Sequence, residues 1–369
     1  MNKKRSLVPI HISKLKPYIA GKRIEEVKKE HNLSNIIKLS SNENPLGSSP
    51  LAIDSITSSN IDFHRYPDSS GYDLRKKIAN KFEVKIENVI LGSGSEGIMS
   101  SIMRTFLSSD DEIISSKNSF IGFRVLANAS GIKTNWVPME NYKYDLPAIS
   151  KFINDKTKLI YLANPDNPTG TYFNKLKFDD FMNNVPKNVL VILDEAYFEY
   201  AKDNEDFPDS MFYRYDNVIT LRTFSKIYGL ASLRIGYGFA HERLINNLMK
   251  VKLPFEPSTV AQLAAISAID DDDFMKKSIF ENKINKIKIY ESLKNKKLNY
   301  IESATNFVTL IFKSGDEAKY FCDYMLSKGI ILRNLKGFGI DNCIRISIGN
   351  NKETNSFLKI LDDFYFNVT

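Results

Sequence analysis

The run Val189-Leu190-Val191-Ile192-Leu193-Asp194-Glu195-Ala196-Tyr197 decides the fold of this chain. Five consecutive apolar residues leave no polar face, which is the pattern of a strand covered on both sides. Asp194 then stands at the carboxyl end of that strand. A carboxylate there is costly unless a positive partner meets it. A cap for the following helix is the ordinary alternative for such an aspartate.

Working outward, short apolar runs alternate with helical patterns. Strands are expected over 88–91, 112–115, 159–163, 189–193, 218–221 and 234–239, and helices over 95–107 and 120–130. This alternation predicts an α/β fold with a mostly parallel sheet covered by helices, whose ligands bind outside the carboxyl ends of the strands. From Val260 the pattern changes to a long helical region reaching about Leu293. Strands at 306–312, 330–335 and 343–348 follow, with helices at 317–328 and from Lys352. That reads as a smaller α+β domain. The expected division is an N-terminal arm over 1–39 packing with the small domain, a large domain over 40–260 and a small domain over 261–369.

The 369 residues carry a net charge of +7 with 43% hydrophobic and 26% charged side chains, an ordinary soluble composition. The lysines between Lys276 and Lys297 alternate with apolar residues at helical spacing, so they read as a solvated helix face and not a nucleic-acid site. Two cysteines, Cys322 and Cys343, suit a reducing compartment and neither a disulfide framework nor a metal cage. No apolar segment after Lys3-Lys4-Arg5 reads as a signal peptide, and no run is long enough to span a membrane. A cytoplasmic protein without bound metal is expected.

Chemistry concentrates in four segments. Thr223-Phe224-Ser225-Lys226, with Arg234 eight residues on, offers an amine that can condense with a carbonyl, and hydroxyls and a guanidinium that can hold a phosphate. Pyridoxal 5′-phosphate makes that demand. Gly92-Ser93-Gly94-Ser95-Glu96-Gly97 follows a strand and opens a helix, so it suits a phosphate seated on a helix N-terminus. It also matches the dinucleotide fingerprint, but no acid ends the second strand as that fingerprint requires, and a tight glycine turn is a further reading. Asp194 could pair with a pyridinium nitrogen, and Tyr197 could reach the phenolic oxygen of the same ring. Asn164-Pro165-Asp166-Asn167-Pro168-Thr169-Gly170 follows another strand and presents the amide of Asn167, unless it is a plain turn. Phe120 is placed to stack on a planar ring.

These motifs, in this order, resemble the fold type I pyridoxal-phosphate enzymes of the aspartate-aminotransferase kind. More narrowly, the chain resembles the histidinol-phosphate aminotransferases. The likeness runs from Leu15-Lys16-Pro17-Tyr18, through Ser41-Asn42-Glu43-Asn44-Pro45-Leu46-Gly47 and Arg65-Tyr66-Pro67-Asp68, to Cys343-Ile344-Arg345-Ile346-Ser347-Ile348-Gly349. It implies that Lys226 is the Schiff-base lysine and Asp194 the partner of the pyridine nitrogen. Tyr197 and Asn167 match the ligands of the phenolic oxygen, while Ser95, Glu96, Ser225 and Arg234 match the phosphate cup. Tyr66 matches a tyrosine that reaches the neighbouring subunit's cofactor, which implies a homodimer with shared sites. Arg345 and Arg333 match the arginines for the substrate's anionic end, with Tyr18 and Asn44 lining that pocket.

Two departures bear on substrate choice. Phe120 stands where many relatives carry tyrosine, and Glu256 in Pro254-Phe255-Glu256-Pro257 stands where many carry asparagine. The resemblance implies amine transfer between histidinol phosphate and 2-oxoglutarate in histidine biosynthesis. Rivals of the same fold are an aromatic amino-acid aminotransferase and a phosphorylated-amino-acid decarboxylase. A nicotinamide-dependent oxidoreductase would rest on the glycine loop alone, and a non-catalytic binding protein would need an inert Lys226.

Overall fold

The computed structural model describes residues 6–17, 21–209 and 215–368. Its strands, in chain order, are β1 (Ile37–Lys38), β2 (Val89–Gly92), β3 (Glu112–Ser116), β4 (Lys133–Val137), β5 (Thr157–Ala163), β6 (Leu190–Asp194), β7 (Val218–Thr223), β8 (Gly236–Phe239), β9 (Asn299–Ile301), β10 (Phe307–Ile311), β11 (Ile330–Ile331), β12 (Arg333–Asn334) and β13 (Cys343–Ser347). Seven of them form one sheet in the order β2-β8-β7-β6-β5-β3-β4. Its pairings from β7 through β6, β5 and β3 to β4 are parallel, and only β8 runs against its neighbours. The expected mostly parallel α/β sheet is therefore present.

The apolar runs of β5 and β6 are continuous because both faces are covered. Leu159, Tyr161, Leu190 and Ile192 enter one core, and Ile160, Leu162, Val191 and Leu193 enter another on the opposite face. Each fully buried side chain of this size contributes roughly 1.5–3 kcal/mol of transfer free energy. The helix Gly94–Phe106 buries Ile98, Met99, Ile102 and Met103, the i, i+1, i+4, i+5 stripe of an amphipathic helix.

A second, antiparallel sheet has the order β12-β13-β10-β9, while β1 pairs in parallel with β11. The 24-residue helix Asp272–Asn295 serves two cores: Met275 and Ile279 pack beside the large sheet, and Ile289 and Leu293 beside the small one. The arm touches both layers as well. β1 joins the small-sheet side through β11, whereas a Cβ at Gly131, on the large-sheet side, would meet the His11 ring at 2.9 Å.

Three elements differ from expectation. β4 is an edge strand with the polar sequence Lys-Thr-Asn-Trp-Val and lacks the apolar run that marks its neighbours. The long helical region from Val260 is two helices, Thr259–Ala268 and Asp272–Asn295, divided where Asp271 caps the second by accepting from the Phe274 N–H. The strand expected over 330–335 divides at Leu332 into β11 and β12, which belong to different sheets. Among the described residues no helix is long and apolar enough to cross a membrane.

Candidate active site

β2, β5, β6 and β7 all point their carboxyl ends to one edge of the large sheet, and a cavity of about 250 Å³ lies there. Ser95, Glu96, Phe120, Asn167, Asp194, Tyr197, Ser225, Lys226 and Arg234 line it, with Thr223, Ala163, Pro165, Ala196 and Ala231. Topology explains the gathering. Gly92 and Thr223 both pair with Gly236, so the glycine loop and the Ser225-Lys226 turn emerge side by side. A Cβ at Gly236 would come within 2.7 Å of the Ser95 backbone nitrogen, so glycine is needed for that approach.

One end of the cavity is built for an anion. The helix Gly94–Phe106 begins there without a side-chain cap, leaving first-turn N–H groups to face the space. The Thr223 hydroxyl donates to Ser225 Oγ at 3.0 Å, and Arg234 Nη1 reaches the same oxygen at 3.3 Å. Arg234 also pairs with Glu96 at 3.3 Å.

The floor carries Asp194. Tyr161 donates its hydroxyl to Asp194 Oδ2 at 2.8 Å, while the buried Oδ1 has no hydrogen-bond partner. Burial pushes the carboxyl up to about 7; the Tyr161 bond opposes this and Glu96 adds to it. Tyr161 is itself buried and stacked on Phe123 at 3.9 Å, so it cannot swing away. Lys226 stands across the cavity, its Nζ 5.8 Å from the Tyr197 ring centre. Burial lowers its amine to about 8, helped by the positive Arg345. Tyr197 is held up at about 12 by burial, against the opposing influence of Arg345, so its hydroxyl stays protonated.

Asn167 is held by a rigid loop. Ser119 and Thr169 donate to the two carboxylate oxygens of buried Asp166, at 2.6 and 2.9 Å, next in sequence to Asn167. Arg345 then donates one guanidinium nitrogen to Asn167 Oδ1 and another, at 2.8 Å, to the Ser40 carbonyl. Arg333 lies directly opposite Arg345 in the β12–β13 register, so two guanidinium groups share one strand pair.

Several expected residues lie outside this cavity's lining, Arg333 and Arg345 among them, while Tyr66 is expected in a neighbouring subunit's site and not in that of its own chain. Asn44 spends its amide on the Ile227 carbonyl at 2.8 Å and on Ser278 at 2.9 Å, bracing the segment after Lys226 instead of lining the cavity. Tyr66 is 79% exposed and stacks on Phe255 at 4.3 Å, away from the cavity of its own chain. Glu256, next to Phe255, is half-buried and also outside the lining. Tyr18 lies outside the described residues. Sequence reasoning missed Tyr161 and Asn42, whose amide nitrogen donates to Tyr197 Oη at 2.8 Å. A tyrosine inside an otherwise apolar strand was the available signal, because a buried hydroxyl needs a partner.

The residues present fit pyridoxal phosphate. An unpartnered buried carboxylate oxygen suits a ring N–H, the anion end suits a phosphate, and a lowered lysine suits an aldehyde.

Comparison with known proteins agrees. The family model described as aminotransferase class I and II matches residues 34–361. A histidinol-phosphate aminotransferase of Anaeromyxobacter sp. (strain Fw109-5) is 40% identical, covering 96% of this chain and 98% of its own length. Histidinol-phosphate aminotransferase 2 of Haemophilus influenzae (strain 86-028NP) is 39% identical over 95% of both chains. The crystal structure of histidinol-phosphate aminotransferase from Sinorhizobium meliloti in complex with pyridoxal-5′-phosphate superposes with a TM-score of 0.90 at 27% identity, covering 100% of each chain.

Proposed function

The chain belongs to the class I and II aminotransferases, and on that premise we propose that it uses pyridoxal phosphate to transfer an amino group between histidinol phosphate and 2-oxoglutarate. The observation that carries this reading is the opposition of Asp194, with its unpartnered Oδ1, to the lowered amine of Lys226 across one cavity. When bound, the cofactor supplies an aldehyde for the amines and a ring that accepts electrons as the substrate's Cα–H bond breaks.

Each residue then has a task. Lys226 holds the aldehyde at rest and, once displaced by substrate, takes up the Cα proton on Nζ and returns it. A lysine near 8 is suited to both directions, since it gains and loses a proton close to neutral pH. Asp194 Oδ1 accepts the ring N–H and keeps its positive charge. Asn167 and Tyr197 would donate toward the ring's phenolic oxygen, and Phe120 would cover its face. Ser95, Ser225, Arg234 and the helix N-terminus hold the phosphate, with Glu96 steering Arg234. Arg345 and Arg333 receive the substrate's anionic end; a guanidinium fork binds a carboxylate or a phosphate equally, so one site serves both substrates.

We further infer a cytoplasmic homodimer with shared sites. Tyr66 is 79% exposed and stands outside the cavity of its own chain, which leaves it available to a neighbouring subunit, the place the family resemblance gives it. In that dimer Tyr66 enters the partner's site. The arm over 1–39 stands as read, but the large domain runs past 260 into the helix Asp272–Asn295, because Ala261, Ala264, Ala265, Ala268, Ile269 and Met275 pack in the large-sheet core.

Side-by-side kinetics with 2-oxoglutarate as acceptor test it. The expected result is a higher kcat/KM for histidinol phosphate than for phenylalanine or tyrosine. A preference for either aromatic amino acid, or release of carbon dioxide in place of amine transfer, would overturn the substrate assignment.

A further inference from the structure

Asn42 sits at the meeting point of the two sheets, with its backbone in the left-handed region at φ +56°. It is 1% exposed. Its backbone N–H donates to Ser347 Oγ at 2.8 Å, and the Ser347 hydroxyl donates back to Asn42 Oδ1 at 2.9 Å. Asn306 holds the Asn42 carbonyl at 3.1 Å. This pairing settles the side-chain amide. Ser347 Oγ already accepts from the Asn42 backbone, so its own proton needs an acceptor, and Oδ1 provides it. Nδ2 is thereby turned to Tyr197 Oη, 2.8 Å away. A phenol oxygen that accepts from an amide must send its single proton elsewhere, and Tyr197 lines the cavity.

We propose that Asn42 is a positioning residue that aims the Tyr197 proton into the cavity, and that Ser347, two residues from Arg345 on β13, sets the amide that does so. This rests on the reading of Tyr197 as a donor to the cofactor's phenolic oxygen. It adds a link between strand β13, which carries the substrate arginine, and the hydroxyl that meets the cofactor. Arg345 and Ser347 grip the same segment, at Ser40 and Asn42. The raised Tyr197 hydroxyl is consistent with a donor that keeps its proton throughout. The charged groups around it are Arg345, Asp194, Asp166 and Lys226, and the test variants leave all four in place.

The test is the pH titration of visible absorbance in the cofactor-loaded enzyme, which needs no turnover. Asn42→Asp keeps the shape and tolerates a positive φ, but offers only acceptors, so Tyr197 would donate to it and away from the cofactor. Tyr197→Phe is expected to move the titration midpoint. Asn42→Asp should move it to the same side by at least half as much, and the double variant no further than Tyr197→Phe alone. If Tyr197→Phe leaves the midpoint in place, the tyrosine's role and the inference fall together. A shift in Tyr197→Phe with none in Asn42→Asp overturns the inference and leaves the tyrosine's role standing. Additive shifts also overturn it, since the aspartate charge would then act by itself. Should Asn42→Asp not fold, Ser347→Ala frees the amide to turn and must shift the midpoint to that same side; no shift overturns the proposal.

Discussion

The amine of Lys226 offers the sharpest test of how the site is built. Its value near 8, against an ordinary 10.5, makes about one amine in ten neutral at pH 7 instead of roughly three in ten thousand, a gain of about 300-fold in the reactive form. In free energy the depression corresponds to ~3 kcal/mol. Burial is its main cause and Arg345 the next. Stopped-flow absorbance should therefore show apoenzyme capturing pyridoxal phosphate at a rate that rises with pH and levels off above about 8. The phosphate's own ionisation, near ~6, lies below that window. Arg345→Gln removes a positive neighbour and should move the midpoint upward. The same depression has a thermodynamic counterpart. A lysine lowered in the folded state binds fewer protons there than in the unfolded chain, so its cost is full below about pH 8 and disappears as pH rises to 10.5. Relative to Lys226→Met, the apoenzyme should gain ~3 kcal/mol of stability across that interval. A capture rate still climbing near pH ~10, where an ordinary lysine titrates, would refute the reasoning, as would a midpoint unmoved by Arg345→Gln.

Three further outcomes are expected. Asp194→Asn keeps the side chain's shape but cannot hold a negative charge, so bound cofactor should persist in the absorbance spectrum while turnover drops by on the order of a hundredfold or more; wild-type turnover would exclude the role. Arg222 and Glu195 form a fully buried ion pair at 2.9 Å beneath the site, and the guanidinium lies 3.3 Å from the Phe198 ring centre. Arg222→Met strands the glutamate and should cost roughly 3–5 kcal/mol in urea unfolding of the apoenzyme, with much of the loss recovered when Glu195→Gln is added. Mixing inactive Tyr66→Ala and Lys226→Ala chains should restore part of the activity through hybrid dimers holding one intact site; no recovery after demonstrated subunit exchange counts against shared sites.

Much of this protein was legible because its chemistry is tied to strand ends. The apolar run before Asp194, the glycine loop before Ser95 and the loop before Asn167 each mark a buried strand and the turn at its carboxyl end. A parallel sheet necessarily brings those ends to one edge. The family resemblance, drawn from the same motifs, agrees with relatives about 40% identical along nearly the whole chain. Elements whose stability comes from neighbours were harder to see. β4 carries no apolar run because it is an edge strand, and residues 330–335 look like one strand although two sheets claim its halves.

By itself, then, the sequence determined the α/β class, the order of its cofactor motifs and the residue types able to hold a phosphorylated aldehyde, because periodicity and local turns are properties of adjacent residues. Only the tertiary structure decided that Tyr161 occupies one oxygen of Asp194 and leaves the other open, that Asn42 meets Tyr197, and that Arg345 reaches Asn167. Those contacts join residues from 33 to 178 positions apart. Their geometry depends on how two sheets close over one cavity, and no local pattern along the chain encodes it.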